Sequence, residues 1–254
     1  MKKQSFNNLI IGKKPVYEML TLNPCLIKCI HLLKRDDYLI NLCDKFQIPY
    51  IVNKQDHFFS SLNKDVNHQG YVLEILDKSN FLKIVDFDYL KRLSKSKNNL
   101  LVLMLDEIVD MMNFGAILRT AYAANVDAVI FKKDNQAQIN DYIVKTSMGF
   151  INKIALLPVV NLSNAITKLK ELNFWIFSSA LNENAVNYDQ LDYQQNVVLI
   201  IGNEKDGVSK LVIKNSDYLI KIPMFNNVDS LNVSVATGIL LFNIISKRKN
   251  KGFI

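Results

Sequence analysis

The sequence predicts an α/β protein whose larger part is built on a parallel sheet. In that part, short runs of apolar or β-branched residues alternate with segments whose apolar residues recur at helical spacing. Uninterrupted apolar runs are typical of strands buried on both faces, and helices between them supply the crossovers of a parallel sheet. The predicted strands are 100–105, 128–131, 175–178, 197–201 and 218–222, and the predicted helices are 113–124, 138–147 and 163–172.

The chain divides by composition into two domains. Residues 1–76 show the same alternation on a smaller scale, which predicts an N-terminal α/β domain. The stretch 77–98 is richer in Lys, Asp, Ser and Asn, as is typical of a linker, so we expect the second domain at 99–254. Near the end, 232–247 has helical spacing with apolar residues on both sides, which indicates a helix that is deeply buried or lies in a subunit interface.

Composition favours a globular protein with an anionic partner. The chain has 254 residues, of which 49% are hydrophobic, so it can bury a core. Its formal net charge is +7, and binding of Lys and Arg to phosphates releases counterions, which makes nucleic acid the first partner to consider. The alternative is a basic protein whose lysines are merely solvated.

Several common functions are excluded by what the sequence lacks. Cys25, Cys29 and His31 lie close together, but a structural zinc site needs four ligands, so we expect no metal. The three cysteines and the absence of a signal peptide fit a reducing cytoplasm. No apolar run approaches the roughly 20 residues of a membrane span. The sequence also contains no P-loop, no dinucleotide-binding glycine motif and no readable Ser-His-Asp grouping.

Polar residues and glycines follow three of the predicted strands. Parallel α/β domains bind ligands beyond the carboxyl ends of their strands, so these segments are the candidate site. In the first, 113–121, Asn113 is expected to cap a helix, and Arg119 stands within an otherwise apolar helix. Arg119 is either a functional residue or an ordinary surface or ion-paired one.

The other two segments follow the strands 197–201 and 218–222. In the segment 202–207, Gly202 would let the backbone approach a ligand closely, while a plain left-handed turn is the alternative. The third segment runs from Ile222 through Pro223 and Met224 to 230–236. Within it, Ser230 is a candidate site residue or simply a helix cap.

Taken together, the three segments resemble, in order and spacing, the three motifs of the SpoU/TrmH branch of the SPOUT methyltransferases. The resemblance covers about 100–248 and is nearly verbatim in the last motif, at 222–236. The stretch 12–20 and the tripeptide 68–70 look like the substrate-binding domain of the large-subunit ribosomal RNA guanosine 2'-O-methyltransferases. One departure is that relatives commonly have Asp-Pro before the first motif, whereas here Met111 follows Asp110.

The resemblance implies a fold, a cofactor and an assembly. The fold would be a parallel-sheet α/β domain with a C-terminal trefoil knot, and the protein would be a homodimer. The cofactor would be S-adenosylmethionine, bound in the knot in a bent form. Gly202, Ile222 and Leu231 would contact it, and Asn203 and Met224 would line its pocket.

The resemblance also implies 2'-O-ribose methylation of a nucleotide, expected to be guanosine, in large-subunit ribosomal RNA. Arg119 would position an RNA phosphate and stabilise the developing alkoxide. Asn113, Glu204, Ser230 and Asn232 would complete the site by hydrogen bonding to Arg119, the ribose and the cofactor. The alternatives are a tRNA ribose methyltransferase of the same branch and a catalytically inactive RNA-binding protein on the same scaffold.

Overall fold

A computed structural model describes most of the chain: residues 9–22, 24–53, 57–60, 62, 67–75, 82–137, 139, 141–226 and 230–249. Residue 76, which was the expected domain boundary, and the side chain of Cys25 lie outside this description. The chain forms two compact units. The first unit comprises Met1–Leu82 with Ile139–Asn152, and the second comprises Lys83–Gln138 with Lys153–Ile254.

The two units contain eleven strands and nine α-helices within the described residues. The strands are β1 (Leu9–Ile11), β2 (Ile27–Leu32), β3 (Tyr50–Val52), β4 (Tyr71–Ile75), β5 (Leu101–Asp106), β6 (Ala128–Lys132), β7 (Leu156–Val159), β8 (Phe174–Ser179), β9 (Val186–Asn187), β10 (Asn196–Gly202) and β11 (Tyr218–Lys221). The helices are α1 (Lys13–Leu22), α2 (Asp37–Phe46), α3 (His57–Ser60), α4 (Phe87–Ser96), α5 (Met111–Ala123), α6 (Asp141–Thr146), α7 (Leu162–Glu171), α8 (Lys210–Lys214) and α9 (Val233–Lys249).

The first unit is a four-stranded mixed sheet with helices packed on it. The strand order is β1-β4-β2-β3, where β4 is antiparallel to both neighbours and β3 is parallel to β2. The core side chains Val16, Leu20, Ile30 and Leu39 come from α1, β2 and α2. The helix α6 packs against β1, which is why 139–152 group with this unit rather than with the expected second domain.

The second unit is a seven-stranded, wholly parallel sheet in the order β7-β6-β5-β10-β8-β11-β9. The five predicted strands are confirmed to within two residues at each end, and β7 and β9 were not predicted. Every residue of β5 is buried, as the uninterrupted apolar run indicated. The loops that follow β5, β8, β10 and β11 therefore lie together at the carboxyl edge of the sheet, where parallel α/β domains bind their ligands.

The segment expected to be a linker, 77–98, contains α4 in its described part. Leu90 of α4 is fully buried in the core of the second unit, and Ile84 forms a parallel bridge with Leu156, the first residue of β7. The polar composition of this segment reflects an amphipathic helix with one deeply buried position. Residues 83–98 thus belong to the second unit.

Two helices near the site begin at residues other than those expected. The carboxylate of Asp110 accepts the backbone N–H of Asn113, so Asp110 caps α5 and the prediction that Asn113 caps it is wrong. At α9 the side chain of Asn232 accepts the backbone N–H groups of Ser234 and Val235, so the cap there is Asn232 rather than Ser230. Both caps leave Asn113 and Ser230 available for other contacts.

The helix α9 packs against α5 and is only partly buried in the single chain. Leu240, Leu241 and Ile244 are buried, while Val235 and Phe242 are about half exposed. The apolar residues on the second side of α9 are therefore not covered by this chain. None of the described helices is long and apolar enough to cross a membrane.

Candidate active site

A cavity of about 390 Å³ opens in the second unit at the carboxyl ends of β8, β10 and β11. This volume lies in the range of roughly 300–1,000 Å³ that is typical of small-molecule sites. Its walls come from the segments that follow these three strands and from the start of α9. The lining residues are Ser179, Ala180, Leu181, Asn182, Ile201, Gly202, Asn203, Glu204, Lys205, Asp206, Gly207, Val208, Ile213, Lys221, Ile222, Met224, Ser230, Leu231, Val233 and Ala236.

The loop after β10 is a tight turn closed on itself. The side-chain oxygen of Asn203 accepts the backbone N–H groups of Lys205 (2.9 Å) and Asp206 (2.6 Å), and Gly207 donates to the Asn203 carbonyl. Gly207 has a φ of 68°, as the left-handed-turn interpretation requires. A Cβ at Gly202 would collide with the carbonyl carbon of Gly207, so the close approach at Gly202 is to the chain's own backbone.

A buried carboxylate fixes the far side of this loop to the neighbouring strand. Asp106, the last residue of β5, is 3% exposed, and its Oδ2 accepts the backbone N–H of Ser209 at 2.8 Å. A hydrogen bond that a buried carboxylate accepts is stronger than one between two neutral groups. Asp106 therefore holds the return of the loop in place, a role that the sequence did not reveal.

A chain of hydrogen bonds joins the three sequence segments. Asn113, in the first turn of α5, donates from its side-chain nitrogen to Oε1 of Glu204 at 2.6 Å. Asn232 donates in the same way to the side-chain oxygen of Asn113 at 3.0 Å, and Ser234 donates its hydroxyl to Asn232 at 2.6 Å. Because each amide both donates and accepts, the orientation of every member is specified. The Glu204 carboxylate is thereby fixed at the cavity wall.

The structure brings together all but one of the expected site residues. The five expected cofactor-contact residues, Gly202, Asn203, Ile222, Met224 and Leu231, all line the cavity. Of the expected catalytic group, Glu204 and Ser230 line the cavity, and Asn113 and Asn232 reach it through the hydrogen-bond chain.

Arg119 differs from the other expected site residues. It lies on the exposed side of α5 and is not part of the cavity lining. Within the described ranges of the chain, its guanidinium has no hydrogen bond or ion pair. The ion-paired interpretation of Arg119 therefore has no support in the single chain.

The segment after β8 lines the cavity and was missed in the sequence. Its members are Ala180, Leu181 and Asn182, and Ser179, the last residue of β8, lines the cavity beside them. The available signal was the end of a buried strand followed by a polar run, the same signal that marked the loops after β10 and β11. The described residues contain no group of three or more His, Cys, Asp or Glu side chains arranged to hold a metal ion.

Comparison with known proteins identifies the family. The model of the SpoU rRNA Methylase family matches residues 100–242. An uncharacterized tRNA/rRNA methyltransferase of Mycoplasma genitalium is 41% identical over 244 residues, which cover 95% of this chain and 98% of the relative.

Two solved structures share the fold. An AdoMet-bound rRNA methyltransferase from Sinorhizobium meliloti is 24% identical with a TM-score of 0.74, covering 96% of this chain and 87% of that one. A TrmH/SpoU tRNA modifying enzyme of A. aeolicus is 32% identical with a TM-score of 0.56, covering 66% of this chain and 86% of that one. The matched family model spans both ends of the hydrogen-bonded site, and the chain belongs to the SpoU rRNA methylase family.

Proposed function

We propose that this SpoU-family RNA methyltransferase methylates the ribose 2'-hydroxyl of a guanosine in large-subunit ribosomal RNA, with S-adenosylmethionine as methyl donor. The observation that carries the proposal is the hydrogen-bond chain from Asn232 through Asn113 to Glu204 at the cavity wall. It joins the three segments that carry the family resemblance into one site. A fold alone would not support a function, but a site built from these groups does.

The residues of the cavity fit the proposed cofactor. Ile222, Leu231 and Val208 offer apolar surface suited to a nucleoside base, and Asn203 and Ser179 add polar groups at the wall. The lining carries both signs of charge: Glu204 and Asp206 suit the sulfonium of the cofactor, and Lys205 and Lys221 suit its carboxylate. S-adenosylmethionine, when bound, supplies an electrophilic methyl group. The mixture of apolar wall and few polar groups is typical of cofactor sites.

The chain's own residues must then align a poor nucleophile, because an alcohol is weakly nucleophilic in its neutral form. We assign to Arg119 the binding of the RNA phosphate and the stabilisation of charge that develops on the 2'-oxygen. A guanidinium stays protonated at neutral pH, so Arg119 is not the base. Glu204, oriented by Asn113, and Ser230 hydrogen-bond the ribose and hold the hydroxyl in line with the methyl group.

The proposal includes a homodimer and the trefoil knot of the family. On α9, Val235 and Phe242 form an apolar surface that this chain leaves exposed, as an isologous contact between two copies would require. Arg119 lies on α5, the helix that packs against α9. Sedimentation should give a dimer at micromolar protein, and a stable monomer would contradict this part of the proposal.

A tRNA ribose methyltransferase is the second candidate. Its support is the similarity of the chain to the tRNA modifying enzyme of A. aeolicus, which matches 66% of this chain. The first unit favours ribosomal RNA, because the simplest tRNA enzymes of this branch lack a domain of this kind. The third candidate, an inactive RNA-binding protein, would not need the ordered contact between Asn113 and Glu204.

Mapping of ribose methylation in total RNA, with and without the gene, tests the proposal. We expect one guanosine of the large-subunit RNA to lose its 2'-O-methyl group when the gene is absent. Loss of a tRNA methyl group instead would establish the second candidate. Calorimetry with S-adenosylmethionine separates the third, since an inactive protein with no cofactor site would give no binding heat.

A further inference from the structure

Three tyrosines meet at one end of the first unit. Tyr17 comes from α1, Tyr38 from the first turn of α2 and Tyr71 from the start of β4. The hydroxyls of Tyr17 and Tyr71 donate to the same oxygen of Asp36, at 2.8 and 2.6 Å. Burial and the Asp36 carboxylate raise the pKa of Tyr71 to about 12, so its hydroxyl remains a donor at neutral pH. Two of the three rings are thus held in fixed positions before any ligand arrives.

A lysine lies against the same rings. The Lys13 ammonium is 5.7 Å from the Tyr17 ring centroid and 5.4 Å from that of Tyr71, within cation–π range, and 3.8 Å from Asp36. The backbone N–H of Lys13, at the start of α1, donates to the side chain of Gln69 at 3.1 Å. The arrangement therefore places a cation beside aromatic faces that are held in position.

The third tyrosine is the exposed member of the cluster. Tyr38 is 67% exposed, and its ring is stacked on Tyr17 with an interplanar angle of 13° and a centroid distance of 6.0 Å. Within the described residues its hydroxyl has no hydrogen-bond partner. A side chain this exposed contributes little burial to the fold. Its open ring face is available to a ligand.

Basic residues precede two of the tyrosines in the chain. Lys14, Lys34 and Arg35 are exposed beside the cluster in the chain, and these three with Lys13 outnumber the three neighbouring carboxylates, which are Glu18, Asp36 and Asp37. Arg35 is partly neutralised by Asp37 at 2.6 Å, which leaves the lysines as the net charge. The surface thus presents an aromatic face next to cations, which is the combination that binds single-stranded nucleic acid.

We propose that Tyr38 is a binding site for an unpaired nucleotide of the RNA substrate, whose base stacks on the Tyr38 ring. Tyr17 supports this ring, Lys13 lies over the Tyr17 ring, and the exposed Lys34 precedes Tyr38 by four residues in the chain. This inference rests on the proposed function in that the substrate is RNA. A base inside a duplex has no free face to stack, so the site selects loops, bulges and single strands. Because every base has a π face, the site tolerates different bases, and the lysines bind the backbone phosphates.

The test compares RNA affinities of full-length variants. Tyr38→Ala should weaken binding of a fluorescent, unstructured oligoadenylate roughly 5- to 150-fold, from about 1–3 kcal/mol per stacked base. Tyr38→Phe should bind like the parent, because the ring and not the hydroxyl is used. Binding of a hairpin duplex should change less than twofold in Tyr38→Ala.

Matched variants separate stacking from charge. Tyr142 is another exposed tyrosine of the first unit, at 43%, and Tyr142→Ala should leave the oligoadenylate affinity unchanged. Lys34→Ala should reduce the slope of log affinity against log salt by about 0.7, whereas Tyr38→Ala should keep the parental slope. Lys45, at the other end of α2, is the control for Lys34.

Three results would overturn the proposal. In the first, Tyr38→Ala binds oligoadenylate within twofold of the parent; in the second, it loses as much affinity for the duplex as for oligoadenylate. In the third, it loses as much affinity for polyglutamate, which would indicate an acidic protein partner. Calorimetry with S-adenosylmethionine on the same variants should match the parent. If the parent methylated no RNA while Tyr38→Ala still lost oligoadenylate affinity, the proposed function would fail and the nucleotide site would stand.

Discussion

Two arginines of the second unit show how differently the chain uses the same side chain. Arg248, near the end of α9, is 4% exposed, and its guanidinium donates four hydrogen bonds to backbone carbonyls. Arg119, on α5, is exposed, and in the described part of the chain its guanidinium has no partner. The carbonyls that Arg248 binds are those of Asn99, Leu100, Tyr193 and Gln195.

The contrast separates the structural role of Arg248 from the functional role proposed for Arg119. Arg248 fastens the C-terminal helix to the segments that precede β5 and β10, two central strands of the sheet. Burial lowers the pKa of Arg248 to about 10, so the group still carries its charge at neutral pH. A buried charge of this kind is tolerated only when its donors are satisfied. Arg119 bears no such constraint, which leaves its guanidinium to bind a ligand.

The largest effect on stability is expected at Arg248. Arg248→Met should lower the free energy of unfolding by about 3–5 kcal/mol, because several buried carbonyls lose their donor. Urea denaturation followed by the fluorescence of Trp175, the single tryptophan and a residue of β8, measures this in the second unit. Lys249→Met, at an exposed neighbouring position, should change stability by less than about 0.5 kcal/mol. If Arg248→Met and the parent had the same free energy of unfolding, Arg248 would not have the structural role described.

A smaller effect is expected at Gly202, where structure and site coincide. Gly202→Ala places a Cβ against the backbone of Gly207 and Val208, so the loop must shift, at a cost of about 1–3 kcal/mol. Calorimetry should then show weaker S-adenosylmethionine binding together with the loss of stability. Gly238→Ala in α9 is the control, since a Cβ there would make only an ordinary contact, 3.7 Å from the Thr120 side chain, and Gly238 does not line the cavity. If Gly202→Ala bound S-adenosylmethionine with unchanged affinity, the loop after β10 would not be part of the cofactor site.

The smallest effect concerns a partly buried carboxylate of the first unit, Asp36. Burial raises the pKa of Asp36, but hydrogen bonds from Tyr71, Tyr17 and the Leu39 N–H outweigh it and bring the pKa below its ordinary value. The carboxylate therefore stabilises the fold above its ordinary pKa, and this stability is lost as pH falls through the lowered value. The loss should be on the order of 1 kcal/mol.

Acid titration of the thermal midpoint measures the Asp36 contribution. Asp36→Asn should flatten the acid side of the profile, and Asp37→Asn, at an exposed carboxylate, should not. An Asp36→Asn profile identical to the parental one would show that the Tyr17 and Tyr71 contacts do not stabilise the charged form.

The strands and helices that the sequence predicted are those that can be identified from the residues of the segment itself. Uninterrupted apolar runs identified β5 and β10, because strands buried on both faces need no alternation. The strand β7 was not predicted because Pro158 interrupts its run of apolar residues. The sheet tolerates this proline because β7 is an edge strand. The helix α4 resembled a linker because Leu90 is its only buried residue.

The residues of the candidate site could be predicted from the sequence, but the hydrogen bonds that join them could not. The resemblance brought Asn113, Glu204 and Asn232 together, and the structure joins them by hydrogen bonds that cross about a hundred residues of sequence. Arg248 gave no signal, because it stands in a basic run at a helix end and its partners are backbone carbonyls far away in the chain. Such contacts depend on topology, which residue patterns do not encode.

The most direct test of the account is the single-turnover methylation rate of Arg119→Ala, measured with saturating S-adenosylmethionine on RNA from cells that lack the gene. We expect a rate lower by about 10² to 10⁴-fold, with parental cofactor affinity and thermal midpoint. Arg119→Lys should rescue poorly, since an ammonium lacks the planar fork that binds a phosphate through two hydrogen bonds. A folded, cofactor-binding Arg119→Ala protein with a rate within about threefold of the parent, below the smallest effect expected of a catalytic group, would contradict the account.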